Sequence, residues 1–455
     1  MPLSSTPSRR DFLSIAAAAM LAPRLPAGQG ARRPVPSAAQ LLWQKDELAL
    51  FAHFGVNTFT DREWGDGTES PAIFNPGAFD ARQWTRAARS AGFRAVVLTA
   101  KHHDGFCLWP TATTCHSVAS SPFRGGDGDV VRGLAEACRA DGLRLGLYLS
   151  PWDRNAEVYG TDRYNDFYCD QLTELLTQYG AVHEVWFDGA NGEGPNGRRQ
   201  VYDWPRYWGL VKRLQPDAVI FSDAGPDVRW IGNERGVAGE TNWSTVDPAV
   251  VPFPGATGPA VDRMLQEGDP AGSVWRPGET DTSIRPGWFW HPAEDGRVRT
   301  VADLVALYDS SVGRNSKLLL NVPPTRDGLL HETDVARLAG MRQALASRFA
   351  QNLAHGRRAT WRTVGPRGGE LVVDLGREAP VGTVMLEEDI ARGQLVSRWR
   401  LEGERGGQWL PVARGTTIGN KRIVRAAAGE FRRIRLVIED ALASPARVEL
   451  GAFAG

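Results

Sequence analysis

Cysteine is scarce. The 455 residues hold four, Cys107, Cys115, Cys138 and Cys169, and no two are spaced as CxxC, which argues against a zinc ribbon or a thioredoxin-type redox motif. Cys138 and Cys169 fall in helical patterns, where buried free thiols are common. Cys107 and Cys115 flank one loop and are placed to pair only in an oxidised chain. Net charge is missing too: Lys+Arg and Asp+Glu each number 53, so no overall field draws the chain to nucleic acid or to an anionic membrane. A neutral, polar partner is favoured. No apolar run is long enough to span a bilayer, no repeat of solenoid period is present, and the first strand is not followed by the GxGxxG of a dinucleotide-binding fold. HExxH is also absent.

What the chain does have is tryptophan, 16 residues of it. Flat apolar rings stack on the C–H faces of sugars, although large cores use them as well. The length fits one large domain plus a smaller one. At the N-terminus, Ser8-Arg9-Arg10-Asp11-Phe12-Leu13 precedes the weakly apolar, alanine-rich stretch Ile15 to Ala22. Paired arginines followed by such a stretch are the pattern of a twin-arginine export signal. Residues 1–35 are therefore read as signal and lead-in, and the expected location is periplasmic or extracellular in a bacterium.

From there strands and helices alternate. Strand-like runs at 48–56, 94–100, 143–149, 182–188 and 218–222 are separated by helical patterns at 80–91, 130–141, 164–179 and 207–214. Weaker strand candidates lie at 236–241, 283–290 and 317–322. Alternation of this kind implies parallel strands with right-handed crossovers, in either a doubly wound sheet or a closed barrel. Polar motifs at the ends of several successive strands favour a (β/α)8-type, TIM-like barrel, expected over residues 37–352. From 356 to 455 the pattern changes to short period-two runs broken by Gly, Arg and Pro, which predicts an all-β sandwich. The order of those runs loosely resembles a galactose-binding-like module.

One strand organises the rest. Val182 to Phe187 is apolar and ends in Asp188-Gly189-Ala190-Asn191. A carboxylate thus stands at a strand's C-terminal end, where barrel enzymes gather their reactive groups. An aspartate capping the next turn is the bland alternative. Trp186 lies two residues before Asp188 and points to the same side, so an indole flanks the acid, as a sugar site requires.

Trp186-Phe187-Asp188-Gly189, together with Glu63-Trp64-Gly65 and Lys101-His102-His103-Asp104-Gly105-Phe106, resembles the α-L-fucosidases of glycoside hydrolase family 29. The likeness runs from about Leu42 to Leu338. It implies an exo-acting, retaining hydrolase that uses neither metal nor cofactor, with a fucosylated oligosaccharide or glycoconjugate as its partner. It assigns the nucleophile to Asp188 and the fucose pocket to His53, Glu63, Trp64, His102, His103, Tyr148 and Trp186. Trp109, Trp152 and Trp288 lie near motif ends; each has a core reading and a site reading, and Trp288 is carried among the substrate-binding candidates. The acid/base varies in position within the family. Here Glu234 and Glu240 are the candidates, and Glu234 is preferred because Gly232-Asn233-Glu234 resembles the branch that prefers α-1,3 and α-1,4 linkages. Glu240 and Trp243 are then expected at the aglycone. Competing readings are a broad-specificity fucosidase, a fucose-binding protein without catalysis, and a metal-dependent hydrolase using the histidines and aspartates. Oligomeric state is unknown from sequence.

Overall fold

The computed structural model describes residues 33–454. The export signal read at Arg9-Arg10 lies outside the described residues.

Eight strands, β1 (Leu48–Ala52), β2 (Ala95–Lys101), β3 (Arg144–Leu149), β4 (Glu184–Trp186), β5 (Val219–Phe221), β6 (Arg229–Trp230), β7 (Gly278–Ser283) and β8 (Ser316–Asn321), form one parallel sheet. Their order is β5-β4-β3-β2-β1-β8-β7-β6, and a single parallel bridge from Phe221 to Val228 joins the two edges. The sheet is a nearly closed barrel. Period two is visible in its packing: Leu48, Leu50, Val96, Leu98, Leu145 and Leu147 face outward into the helical layer, whereas Ala49, Phe51, Ala95, Val97 and Tyr148 face inward. The first helix, Ala38–Asp46, is started by a capping box between Ser37 and Gln40. Its Trp43 joins the inward-facing cluster, and Lys317 stands 4.5 Å from the centre of that ring. An interior column therefore runs from Trp43 up to Phe51, Tyr148 and Trp186.

Two expected strands are displaced. Residues 236–241 form bends and irregular chain, and the sixth strand is the two-residue pair Arg229–Trp230, too short to leave a periodic signal. The seventh is Gly278–Ser283, which meets the expected 283–290 at one residue. Its sequence, Gly-Glu-Thr-Asp-Thr-Ser, contains no hydrophobic side chain, although all six residues are buried. Inside a barrel such a strand is tolerable only where its polar groups find partners. They do: Glu279 accepts from Trp186 Nε1 at 3.0 Å, Asp281 accepts from Trp230 Nε1 at 2.7 Å, and Thr280 donates to the Lys317 carbonyl at 2.8 Å.

The C-terminal part is a six-stranded antiparallel sheet built around two 20-residue strands, Gly368–Glu387 and Arg422–Ala441. Hydrogen bonding joins all six strands, and the two long strands break register between Asp374 and Ala379 and again between Val381 and Thr383, which divides them into two halves. Both halves share a core that includes Leu371, Val384, Trp399 and Leu436. The sheet grips the barrel at the N-terminal ends of β1 and β8. Asn420 N donates to Asn315 Oδ1 at 2.7 Å, Lys421 Nζ meets Glu47 Oε1 at 2.5 Å, and Gln394 Nε2 donates to the Asn242 carbonyl at 3.0 Å. Gly419 is needed there, because any Cβ would stand 2.2 Å from the Asn315 side chain.

Candidate active site

At the opposite end, where the strands finish, a cavity of about 620 Å³ opens above the interior column. Phe51, Tyr148 and Trp186 form its floor, and Asp188, Glu234 and Asp281 bring carboxyl groups to it from the ends of three different strands. Asp188 follows β4. Its Oδ2 accepts from the Tyr148 hydroxyl at 2.9 Å and its Oδ1 from Ala190 N at 2.7 Å, while its side chain keeps 28% exposure. Two donors thus aim the carboxylate without covering it. Burial, and after it the charge of Asp188, push the Tyr148 hydroxyl well above its ordinary range, so it remains a donor.

Three imidazoles form one wall. Asn321 Nδ2 donates to Ser283 Oγ at 2.9 Å and to the Trp288 carbonyl at 2.8 Å, which leaves its Oδ1 to accept from His53 Nδ1 at 2.8 Å. Neutral His53 therefore offers Nε2 as an acceptor. His103 Nδ1 lies 2.7 Å from Ser150 Oγ, and that hydroxyl donates to the Trp152 carbonyl at 2.6 Å, so His103 carries its proton on Nδ1. Its Nε2 stands 3.9 Å from Asp188 Oδ2. His102 sits between these rings, 4.1 Å from His103 and 5.5 Å from His53 between centroids, with a buried Nδ1 that has no protein partner. Burial lowers all three: His53 to about 3, despite the Asn321 bond, and His102 well below its usual value. For His103 burial outweighs the pull of Asp188. The wall is uncharged at neutral pH and has acceptors and donors to present to hydroxyl groups.

Glu63 and Trp64 complete the mouth. Glu63 accepts from the Trp288 backbone N–H and, at 3.0 Å, from His291 Nε2. Trp64 is 57% exposed and meets His103 and Trp152 edge-on, with ring centroids 5.9 Å apart in each case. Glu234 is raised above the usual carboxyl range by burial, opposed by a hydrogen bond from Trp288 and reinforced by the charges of Asp188 and Glu63. Asp281 is raised well above it by burial, with Glu234 adding to the effect. Among the described residues no group of three or more His, Cys, Asp or Glu side chains is arranged to hold a metal ion.

The structure thus brings His53, Glu63, Trp64, His102, His103, Tyr148, Trp186, Asp188, Glu234 and Trp288 into one cavity. It does not bring Glu240 or Trp243 there. Glu240 is paired with Arg314 and Arg422 where the C-terminal sheet meets the barrel, and Trp243 is buried; the chain descends along the barrel after Glu234, so the expected aglycone contacts lie at the far end. Trp109 is a core residue, donating to Glu174 at 2.7 Å, whereas Trp152 borders the mouth. All four cysteines are free, Cys107 buried and Cys115 exposed. Sequence reasoning missed Asp281, whose strand carries no hydrophobic signal, and His291. It also missed Asp223, which follows β5; burial pushes this carboxyl up to about 6, against a hydrogen bond from Gly255 and with help from the charge of Asp188.

A Ruminococcus gnavus family 29 fucosidase solved in complex with fucose matches the structure with a TM-score of 0.83 at 31% identity, over 93% of this chain and 96% of that one. The fold and the site are those of a glycoside hydrolase. The family model described as alpha-L-fucosidase matches residues 43–347. A protein of rice (Oryza sativa subsp. japonica), also described as an α-L-fucosidase, is 46% identical over 450 residues, which cover 92% of this chain and 85% of its own. Alpha-L-fucosidase 1 of Arabidopsis thaliana is 43% identical over 452 residues, covering 92% and 87%. The chain belongs to the α-L-fucosidases of glycoside hydrolase family 29 and is an enzyme of that kind.

Proposed function

We propose that this enzyme removes terminal α-1,3- or α-1,4-linked L-fucose from glycans by double displacement, with Asp188 as nucleophile and Glu234 as acid/base. The observation that carries the reading is the contrast between two carboxyls in one cavity. Asp188 is partly exposed and aimed by the Tyr148 hydroxyl and the Ala190 N–H, as an attacking carboxylate needs. Glu234 is pushed toward its protonated form by burial, with the charge of Asp188 adding to it, as a proton donor needs.

In the first step Asp188 attacks the anomeric carbon as the bond to the leaving oxygen breaks, and Glu234 gives that oxygen its proton. In the second step the Glu234 carboxylate takes a proton from water, the resulting hydroxide equivalent attacks the anomeric carbon, and Asp188 is released. The imidazole wall and Glu63 bind the sugar hydroxyls, and the indoles meet its apolar face and C6 methyl. The linkage preference rests on the Gly232-Asn233-Glu234 segment. Neither metal nor cofactor enters the steps. The paired arginines at 9 and 10 support export of the folded enzyme.

The test is trapping with a fluorinated fucoside whose second step is slow. A covalent adduct on Asp188, together with release of fucose from α-1,3/1,4-fucosylated trisaccharides ahead of α-1,2-linked ones, is the expected result. An adduct on another carboxylate, or no preference among linkages, would overturn the corresponding part.

A further inference from the structure

At the rim of the cavity one imidazole touches two carboxylates. His291 Nδ1 lies 2.8 Å from Asp61 Oδ1, and His291 Nε2 lies 3.0 Å from Glu63 Oε2. A neutral imidazole has a single N–H, so it can donate to one of these oxygens and would face the other with a lone pair. The imidazolium donates to both. The backbone brings the two acids to the same ring: Asp61 ends the short helix Val56–Thr60 in the left-handed conformation, with φ at 59°, and the chain then returns to the ring within two residues. Aspartate adopts that conformation more readily than most side chains.

The charges around the ring favour the cation. Burial opposes it, yet the hydrogen bonds to Glu63 and Asp61 and the charges of Glu63 and Glu294 outweigh burial and raise His291 above its ordinary value. Nearby cations are engaged elsewhere: Arg62 pairs with Asp66, and Arg326 lies over the Trp290 ring at 5.9 Å. Asp295, on the same turn as Glu294, is held by Arg285 at 2.7 Å.

Glu63 is fixed by this arrangement. Its Oε1 accepts the Trp288 N–H, and its Oε2 accepts from His291 and, at 3.4 Å, from Phe289 N. That leaves Oε1 one acceptor position for a sugar hydroxyl. We propose that His291 is a positioning residue whose imidazolium form holds Glu63 in register for fucose, so that the pocket loses affinity as His291 gives up its proton. This rests on the reading of Glu63 as an acceptor of sugar hydroxyls. The direction follows from the raised value: binding is complete while His291 is protonated and weakens as pH rises through that value, on the alkaline side of an ordinary histidine.

The experiment measures L-fucose binding by titration calorimetry from about pH 5.5 to about pH 9, the range over which histidine changes charge. Free fucose undergoes no bond cleavage, so the proton-donor role of Glu234 does not enter. The wild-type dissociation constant should rise about tenfold across the alkaline part of the range, the scale of one charge-assisted hydrogen bond. His291→Gln should bind weakly throughout with no alkaline slope, and its kcat/KM should fall chiefly through KM. In the wild-type protein the ring proton of His291, followed by NMR, should titrate about one pH unit higher with fucose bound, because linkage is reciprocal. A flat wild-type profile, a slope retained in His291→Gln, or a His291 titration unmoved by fucose overturns the proposal. The underlying reading fails separately: Glu63→Gln would then bind fucose as the wild type does at acidic pH.

Discussion

The Tyr148 hydroxyl donates to Asp188 Oδ2 at 2.9 Å, from the strand beside the one that carries the aspartate. The neighbouring parallel strands fix both side chains, so the carboxylate is oriented before substrate arrives. Tyr148→Phe removes that donor while leaving the ring that packs on Trp186 and Phe51. Its kcat on an aryl fucoside should fall about 10- to 100-fold, the value of a hydrogen bond to a charged group, with a much smaller change in KM. Equal losses in both parameters would mean that the tyrosine acts mainly on sugar binding.

Glu234 and Glu240 are six residues apart and should behave as differently as their surroundings. Glu234 works as an acid only while protonated, so cleavage of natural glycans should decline as pH rises through its raised value. Glu234→Ala should lose that activity, retain part of its activity on an activated aryl fucoside, and be accelerated by azide with formation of a β-fucosyl azide. Glu240→Ala should keep wild-type turnover and show no azide effect. It should instead unfold more easily, by about 1–3 kcal/mol, because buried Arg422 loses its carboxylate partner. Azide rescue of the Glu240 variant alone would exchange the two roles.

Lys317 is fully buried inside the barrel, 3.0 Å from Glu184 and 3.9 Å from Glu279. Burial, and next the charge of Glu184, drive Glu279 well above the usual carboxyl range, so the lysine chiefly balances Glu184. Lys317→Met leaves that carboxylate buried without its cation. Urea unfolding should show a loss of about 3–5 kcal/mol. An unchanged midpoint would show that the ion pair is replaceable.

Arg9→Lys combined with Arg10→Lys should hold the enzyme in the cytoplasm, with activity recovered from lysed cells in place of the exported fraction. Export of the doubly substituted protein at the normal level would remove the twin-arginine assignment.

The first five strands and the eighth were legible because hydrophobic β-branched and leucine-rich runs report burial on both faces. The sixth and seventh were not. Arg229–Trp230 is too short to show a period, and Gly278–Ser283 spends its inward positions on Glu279 and Asp281. Much of the cavity was readable for a different reason, since Trp186-Phe187-Asp188, Glu63-Trp64 and His102-His103 sit in motifs of fixed spacing. Asp281, Asp223 and His291 have no such motif, and their roles come from neighbours far away in sequence, as with Asp61 and His291, 230 residues apart. The placement of Glu240 and Trp243 at the aglycone failed on distance along the barrel: the chain leaves the cavity after Glu234 and by Glu240 has reached the contact with the C-terminal sheet.

The last hundred or so residues serve as a plinth for the barrel. Asn315, just before β8, and Asn242 and Ser244, on the chain that descends after Glu234, are buried and take hydrogen bonds from or give them to Gln394 and Asn420. A truncated catalytic half would keep every group at the mouth and yet leave those amides bare at its foot. Expression of the barrel without the sheet should accordingly give a less stable protein, weakened at its foot and unchanged at its mouth.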